Sequence, residues 1–264
     1  MNWAQKRKLT YVLIILGFFG IIAFAVIHKV TSVTPTCFDR KMNGDEKGVD
    51  CGGGCSVYCS NELSDPTVQW VRVFPVTDGI VHAVVYIQHG YPVSAARTVG
   101  YEFKLYDDQN NLIADRKGTT FLGTAGTSAI VETLIPVAHG TVSLARFSFN
   151  DPVAWEKVSP TFSQVVIDTS RTTIEAFNTG RTSVPSTRLI ATLQNKSRYN
   201  FTNVDVVAIF YDKEGNAITS SKVLLPSLPA LQSKPVYFTW PYPVVGVART
   251  EIIPRFNPFT AQSI

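Results

Sequence analysis

The chain has 264 residues, with 24 Lys and Arg against 20 Asp and Glu, and a formal net charge of +4. Part of that charge is the N-terminal cluster Lys6-Arg7-Lys8, so the remainder is only weakly basic and carries no Lys/Arg stripe suited to nucleic acid. Its 17 Gly and 15 Pro are scattered, which excludes a low-complexity chain.

Residues 1–8 read as a cytoplasmic stub. From Leu9 to Ile27 no charge interrupts an apolar run. At about 1.5 Å per residue the run can cross a hydrocarbon core of about 30 Å. It is apolar on every face, unlike an amphipathic soluble helix. Residues 9–30 are therefore expected to be a transmembrane signal anchor in contact with the lipid bilayer. Lys6, Arg7 and Lys8 outweigh His28 and Lys29 on the far flank. The positive-inside bias then puts the N-terminus in the cytoplasm and the rest outside, as a single-pass protein. A cleaved signal peptide would have a shorter apolar region ending in a small-x-small site, and Phe24-Ala-Val-Ile-His-Lys29 offers none that convinces.

Residues 31–65 hold all four cysteines, Cys37, Cys51, Cys55 and Cys59. Outside the cytoplasm such a cluster favours two disulfides over free thiols, and the sequence leaves their pairing open. Zinc would usually use paired Cys knuckles set far apart, which this stretch lacks. Asp39, Asn43, Asp45, Glu46 and Asp50 lie among glycines in the same stretch. Such an oxygen-rich set suits Ca2+, although the spacing departs from the EF-hand pattern. Two readings stay open: a neck stiffened by calcium, or a disulfide knot whose acids keep it soluble.

After residue 65, short runs of Val, Ile, Phe and Tyr alternate with turn residues and helical periodicity is absent, which predicts an all-β region. It contains a repeat. Tyr106 and Tyr211 lie 105 residues apart (211 − 106), and Asp107/Asp212, Asn111/Asn216, Ile113/Ile218 and Pro136/Pro241 keep that offset. Two β-sandwich domains are expected, at 66–159 and 160–260. Asp and Asn in the turn after each Tyr can bond local backbone N–H groups. The short join Val153–Ser159, bracketed by Pro152 and Pro160, is expected to restrict the angle between the domains.

Phe103-Lys-Leu-Tyr106-Asp107 fits the FxLYD signature letter for letter, and Ile209-Phe-Tyr211-Asp212 is a looser version. Leu193-Gln-Asn-Lys-Ser197 looks like the Leu-x-Asn-x-Ser stretch that often precedes that strand. The chain thus resembles proteins with tandem FxLYD domains. The resemblance implies small immunoglobulin-like β-sandwiches on bacterial exported and membrane proteins, with no catalytic residues to carry over. The cysteine stretch resembles a recurrent extracellular module, Cys-x-Asp-x3-Asn-x2-Glu-x3-Asp-Cys-Gly-Gly-x-Cys-x3-Cys, found beside adhesive and stalk-like regions.

The four histidines, His28, His82, His89 and His139, stand near no recognisable nucleophile, and no Gly-x-Ser-x-Gly or phosphate-cradling loop occurs. No catalytic residue is expected. The expectation is a non-catalytic envelope scaffold or binding module whose partner is an envelope protein or polymer. The alternative is an accessory subunit of a secretion, pilus or transport machine, with Gly17, Gly20 and Ala23 forming a helix-packing stripe.

Overall fold

The computed structural model describes residues 3–31, 36–138, 140–164, 166–177 and 185–264; His139 lies outside them. The chain forms two compact units, Met1–Cys55 and Ser56–Ile264.

In the first unit, helix α1 (Trp3–Thr31) presents its apolar side chains to the surroundings. Its segment Gln5–Ile27 is long and apolar enough to cross a membrane, with none of it buried against protein. The cysteine-rich loop that follows lacks regular strands and is closed by the Cys37–Cys55 disulfide. Cys51 and Cys59 are also disulfide-bonded.

The second unit holds two β-sandwiches. In the first, β1 (Thr67–Thr77), β2 (Ile80–His89) and β5 (Gly126–Pro136) form one sheet in the order β1-β2-β5. Strands β3 (Ser94–Tyr106), β4 (Leu112–Leu122) and β6 (Leu144–Phe149) form the other, in the order β4-β3-β6, with short β7 (Glu156–Lys157) on the start of β3. The second sandwich repeats this plan. Strands β8 (Ile167–Phe177), β9 (Ser186–Asn195) and β12 (Ser233–Trp240) pair in the order β12-β9-β8. Strands β10 (Tyr199–Tyr211), β11 (Ala217–Leu228) and β13 (Arg249–Arg255) pair in the order β11-β10-β13, with β14 (Gln262–Ser263) on the start of β10.

The offset recurs at the start of the third strand of each domain. β7 pairs with Ser94 and Ala95, and β14 pairs with Tyr199 and Asn200, the positions 105 further on. In immunoglobulin terms each domain has an A-B-E sheet facing a C′-C-F sheet. The cores follow from strand alternation: Phe103 and Leu105 point into the first sandwich, Ala208 and Phe210 into the second. The C-terminal segment carries the paired strand β14.

Residues 56–65 pack on the first sandwich. Tyr58 N–H donates to the Trp155 carbonyl at 2.9 Å, Lys157 N–H to the Ser56 carbonyl at 2.7 Å, and Trp155 Nε1–H to the Ser64 carbonyl at 3.2 Å. The join therefore belongs to the first domain, with Trp155 in its core.

Candidate functional site

The motif acids of the cysteine-rich loop act on the loop's own backbone. Asp50 Oδ1 accepts from Asp39 N–H (3.0 Å) and Arg40 N–H (3.1 Å). Asp39 Oδ1 accepts from Lys41 N–H at 2.9 Å, and its Oδ2 from Asn43 Nδ2–H at 2.8 Å. The Asn43 bond is the main cause that holds the Asp39 carboxyl below its ordinary range. Glu46 Oε2 accepts from Asn43 N–H at 3.1 Å. Asp45 passes over the glycines: a Cβ on Gly53 would lie 1.7 Å from the Asp45 carbonyl oxygen, and Gly53 has φ +52. Only glycine fits there. The spacing of the module is thus a set of loop staples.

Calcium takes about six to eight oxygens around one point. Among the described residues, the cluster with ligand atoms within 4.8 Å of one another is Cys37, Glu46 and Cys55. Its two sulfurs are bonded to each other. Asp39, Asp45 and Asp50 do not join it, and the Asp39 and Asp50 carboxylates hold backbone N–H groups instead. Asn43 Oδ1 is buried without a partner, one oxygen where a cage needs several.

A second constellation lies between the sandwiches. The outer face of the β1-β2-β5 sheet meets the outer face of the β11-β10-β13 sheet. Phe74, Val84, Ala129 and Val131 pack on Val207, Ile209, Tyr211, Ala217 and Ile253, with Trp70 and Tyr86 at the margin. Strand β10 therefore buries both faces. The join was expected to set the angle between the domains; the sheet contact adds a third core that fixes it. At the repeat-equivalent positions, Val207 and Ile209 replace Glu102 and Lys104 of the first domain. Glu102 and Lys104 pair with each other at 3.1 Å on the solvent side of β3. The docked C′-C-F face of the second domain is apolar where the equivalent face of the first is charged.

Polar groups close the rim of this third core. Tyr86 and Tyr211 hydroxyls both donate to Glu251, at 2.7 and 2.9 Å. Burial first, and the Glu251 carboxylate second, push both phenols above their usual range, so they remain donors. Arg249 bonds Glu251 at 3.2 Å and covers the Tyr211 ring at 3.8 Å. Arg72 reaches Asn216 Oδ1 at 3.2 Å. Arg255, 6% exposed, donates across the interface to Ser128 Oγ (2.9 Å), Thr120 Oγ1 (2.6 Å) and the Phe121 carbonyl (2.9 Å). It also meets the Asp205 carboxylate at 3.5 Å. Desolvation lowers its pKa.

The signature residues have structural jobs. Phe103 is fully buried. Tyr106 is half-buried under the Arg146 guanidinium, 5.4 Å away. Asp107 and Asp212 each accept from the N–H of the Asn four residues on, Asn111 and Asn216, at 2.7 Å. Tyr211 belongs to the interdomain contact. Sequence reasoning missed that contact, yet a signal was present. The run Val204–Tyr211 is nearly all apolar, whereas Val99–Tyr106 alternates, and a strand apolar on both sides is covered on both sides.

His82 is part-buried at the same contact, bonded to the Ser220 backbone, and burial lowers its pKa. His89 is 8% exposed and 4.9 Å from the Trp155 ring. Burial also lowers its pKa.

No family model and no curated protein matches the chain. Among solved structures, the chain has a likeness to the N-terminal CBM22-1-CBM22-2 tandem domain from Paenibacillus barcinonensis Xyn10C. Identity is 10%, coverage is 76% of this chain and 88% of that one, and the TM-score is 0.16. A likeness at that level carries no argument about this chain.

Proposed function

We propose that this is a membrane-anchored, non-catalytic scaffold or binding module of the bacterial cell envelope. It would hold a rigid pair of FxLYD-type sandwiches outside the membrane on a disulfide-stapled neck. The observation that carries the reading is the third core, where apolar residues replace the surface charges of the repeat. The apolar α1, the basic flank Lys6-Arg7-Lys8 and the oxidised cysteines support the topology. The partner on this reading is an envelope protein or polymer.

Reporter fusions test the topology. Alkaline phosphatase, active only when exported, is fused after Ile264 of the full chain, and in parallel a fluorescent protein that matures only in the cytoplasm. Active phosphatase with a dark fluorescent fusion is expected. A bright fluorescent fusion with inactive phosphatase would overturn the reading.

A further inference from the structure

A histidine lies inside the contact that holds the two sandwiches together. Side chains alternate along β2: Val81, Ala83, Val85 and Ile87 pack in the first sandwich, while Val84 and Tyr86 belong to the third core. His82 falls on the face of Val84 and Tyr86, and its partner on β1 is Phe74 of the same core. Opposite it is Ser220 on β11, 1% exposed and paired with Ile209. The Ser220 carbonyl accepts from the His82 ring, and from Trp240 Nε1–H at 3.2 Å. Ser220 Oγ is buried without a partner. The ring of the first sandwich thus holds a backbone oxygen of the second.

The strands packed around His82 bring cations and apolar side chains to it. Arg72 on β1 shares the face of Phe74, and its guanidinium reaches Asn216 Oδ1 at 3.2 Å and the Ala217 carbonyl at 3.5 Å. Lys222 on β11 pairs with Val207 and so lies on the docking face with Ser220. On β5 that face is apolar at Ala129 and Val131. Tyr242, beyond β12, donates its hydroxyl to the Pro75 carbonyl at 3.3 Å. Glu251 on β13, a carboxylate of the same contact, already accepts from Tyr86, Tyr211 and Arg249. A neutral imidazole has one N–H, which Ser220 takes; a protonated one has two and a full charge. Burial outweighs the Ser220 bond and holds the ring below its ordinary 6.5.

We infer that His82 makes the interdomain contact sensitive to acid: a proton on its ring weakens the hold of the second sandwich on the first and turns a rigid pair into a hinged one. When the sandwiches part, the ring meets water and titrates at its ordinary value, 6.5. Docked, it takes the proton only at lower pH. Docking is therefore at full strength above 6.5 and weakens as pH falls through that value, until the docked ring also titrates. The loss is about tenfold in the docking equilibrium for each pH unit between the two titrations. The third core carries this effect, whichever side of a membrane the pair occupies.

The test uses the full chain in nanodiscs and follows the His82 ring by NMR as the pH is lowered. His82 is expected to titrate below 6.5 in the unmodified chain, and at the ordinary value when Ile209→Lys opens the contact. A second readout is the distance between spin labels, one on each sandwich, in an Ile209→Ala background, which weakens the contact without adding charge. The separated population should grow several-fold between about pH 7.5 and about pH 5.5. His82→Gln keeps an N–H donor for Ser220 but takes no proton, so it should abolish that growth. If the Gln variant fails to fold, the NMR comparison decides alone. Identical titration of His82 with and without Ile209→Lys would overturn the inference. So would acid opening that persists in His82→Gln, or a separated population that pH leaves unchanged in the Ile209→Ala chain.

Discussion

Asn195 shows how one side chain can hold a repeat together. It is fully buried at the end of β9. Its Nδ2 donates to the carbonyls of Tyr199 (2.8 Å), Leu228 (3.2 Å) and Pro229 (3.0 Å), and its Oδ1 accepts from Ser197 N–H (3.0 Å) and Oγ–H (2.7 Å). The Leu-x-Asn-x-Ser pattern is therefore a plug that ties β9, β10 and β11 around one turn. Replacing it would leave several buried carbonyls unpaired, each costing about 1–3 kcal/mol. Asn195→Ala should lower unfolding stability by about 3 kcal/mol, read as a shift of the denaturant midpoint at constant slope. A shift worth less than about 1 kcal/mol would mean that water replaces the side chain. In the first domain the matching strand end carries His89. Its Nδ1 is buried without a partner. The histidine thus fills the plug position without completing the network, which explains its burial without invoking chemistry. The pattern could be read in the second domain because its letters survive. In the first, where His stands for Asn, only the position at the strand end reveals it.

Among the elements, the cysteine-rich loop and β10 carry opposite lessons about legibility. The acids of the loop were conspicuous, but their chemistry was not legible. A carboxylate that caps a backbone N–H and one that binds a cation look alike in sequence, and the direction of the oxygens separates them. Since Asp39, Glu46 and Asp50 point at N–H groups, the loop should be indifferent to calcium. Chelator, or calcium at a few millimolar, should leave amide exchange of residues 39–50 unchanged, whereas Asp50→Ala should speed exchange at Asp39 and Arg40. Slower exchange on adding calcium would reverse that assignment. For β10 the signal was present and needed a comparison. The strand, its turn and its aromatic signature follow from local pattern, and so does the tandem repeat. The docking face became visible only when equivalent positions were set side by side, Val207 and Ile209 against Glu102 and Lys104. Long-range contacts of this kind leave no periodicity of their own.

At the scale of the whole molecule, the second unit is an asymmetric stack. The A-B-E sheet of the first sandwich meets the C′-C-F sheet of the second, a head-to-tail contact that in principle could continue from copy to copy. The free ends do not favour continuation. The outward C′-C-F face of the first sandwich carries Glu102, Lys104 and Lys117, joined by ion pairs at 3.1 and 3.5 Å. The outward face of the second sandwich carries Arg171 and Glu175 at the β8 positions matching Trp70 and Phe74. Polar ends cap a short array as they cap longer repeats. The rigidity of the pair then rests on a few apolar positions. Ile209→Lys would bury an unpaired ammonium against Phe74 and Val131, at a cost of about 3 kcal/mol or more, and the contact should open while each sandwich keeps its own core.

That substitution gives the most direct measurement. Spin labels are placed on the full chain in nanodiscs at Asp108→Cys in the first sandwich and Thr239→Cys in the second, both exposed, and the distance between them is measured by pulsed electron resonance. The rigid-pair account predicts one narrow distance distribution, replaced by a broad one when Ile209→Lys is added. A broad distribution in the unmodified pair, or one that Ile209→Lys leaves narrow in a folded protein, would contradict it.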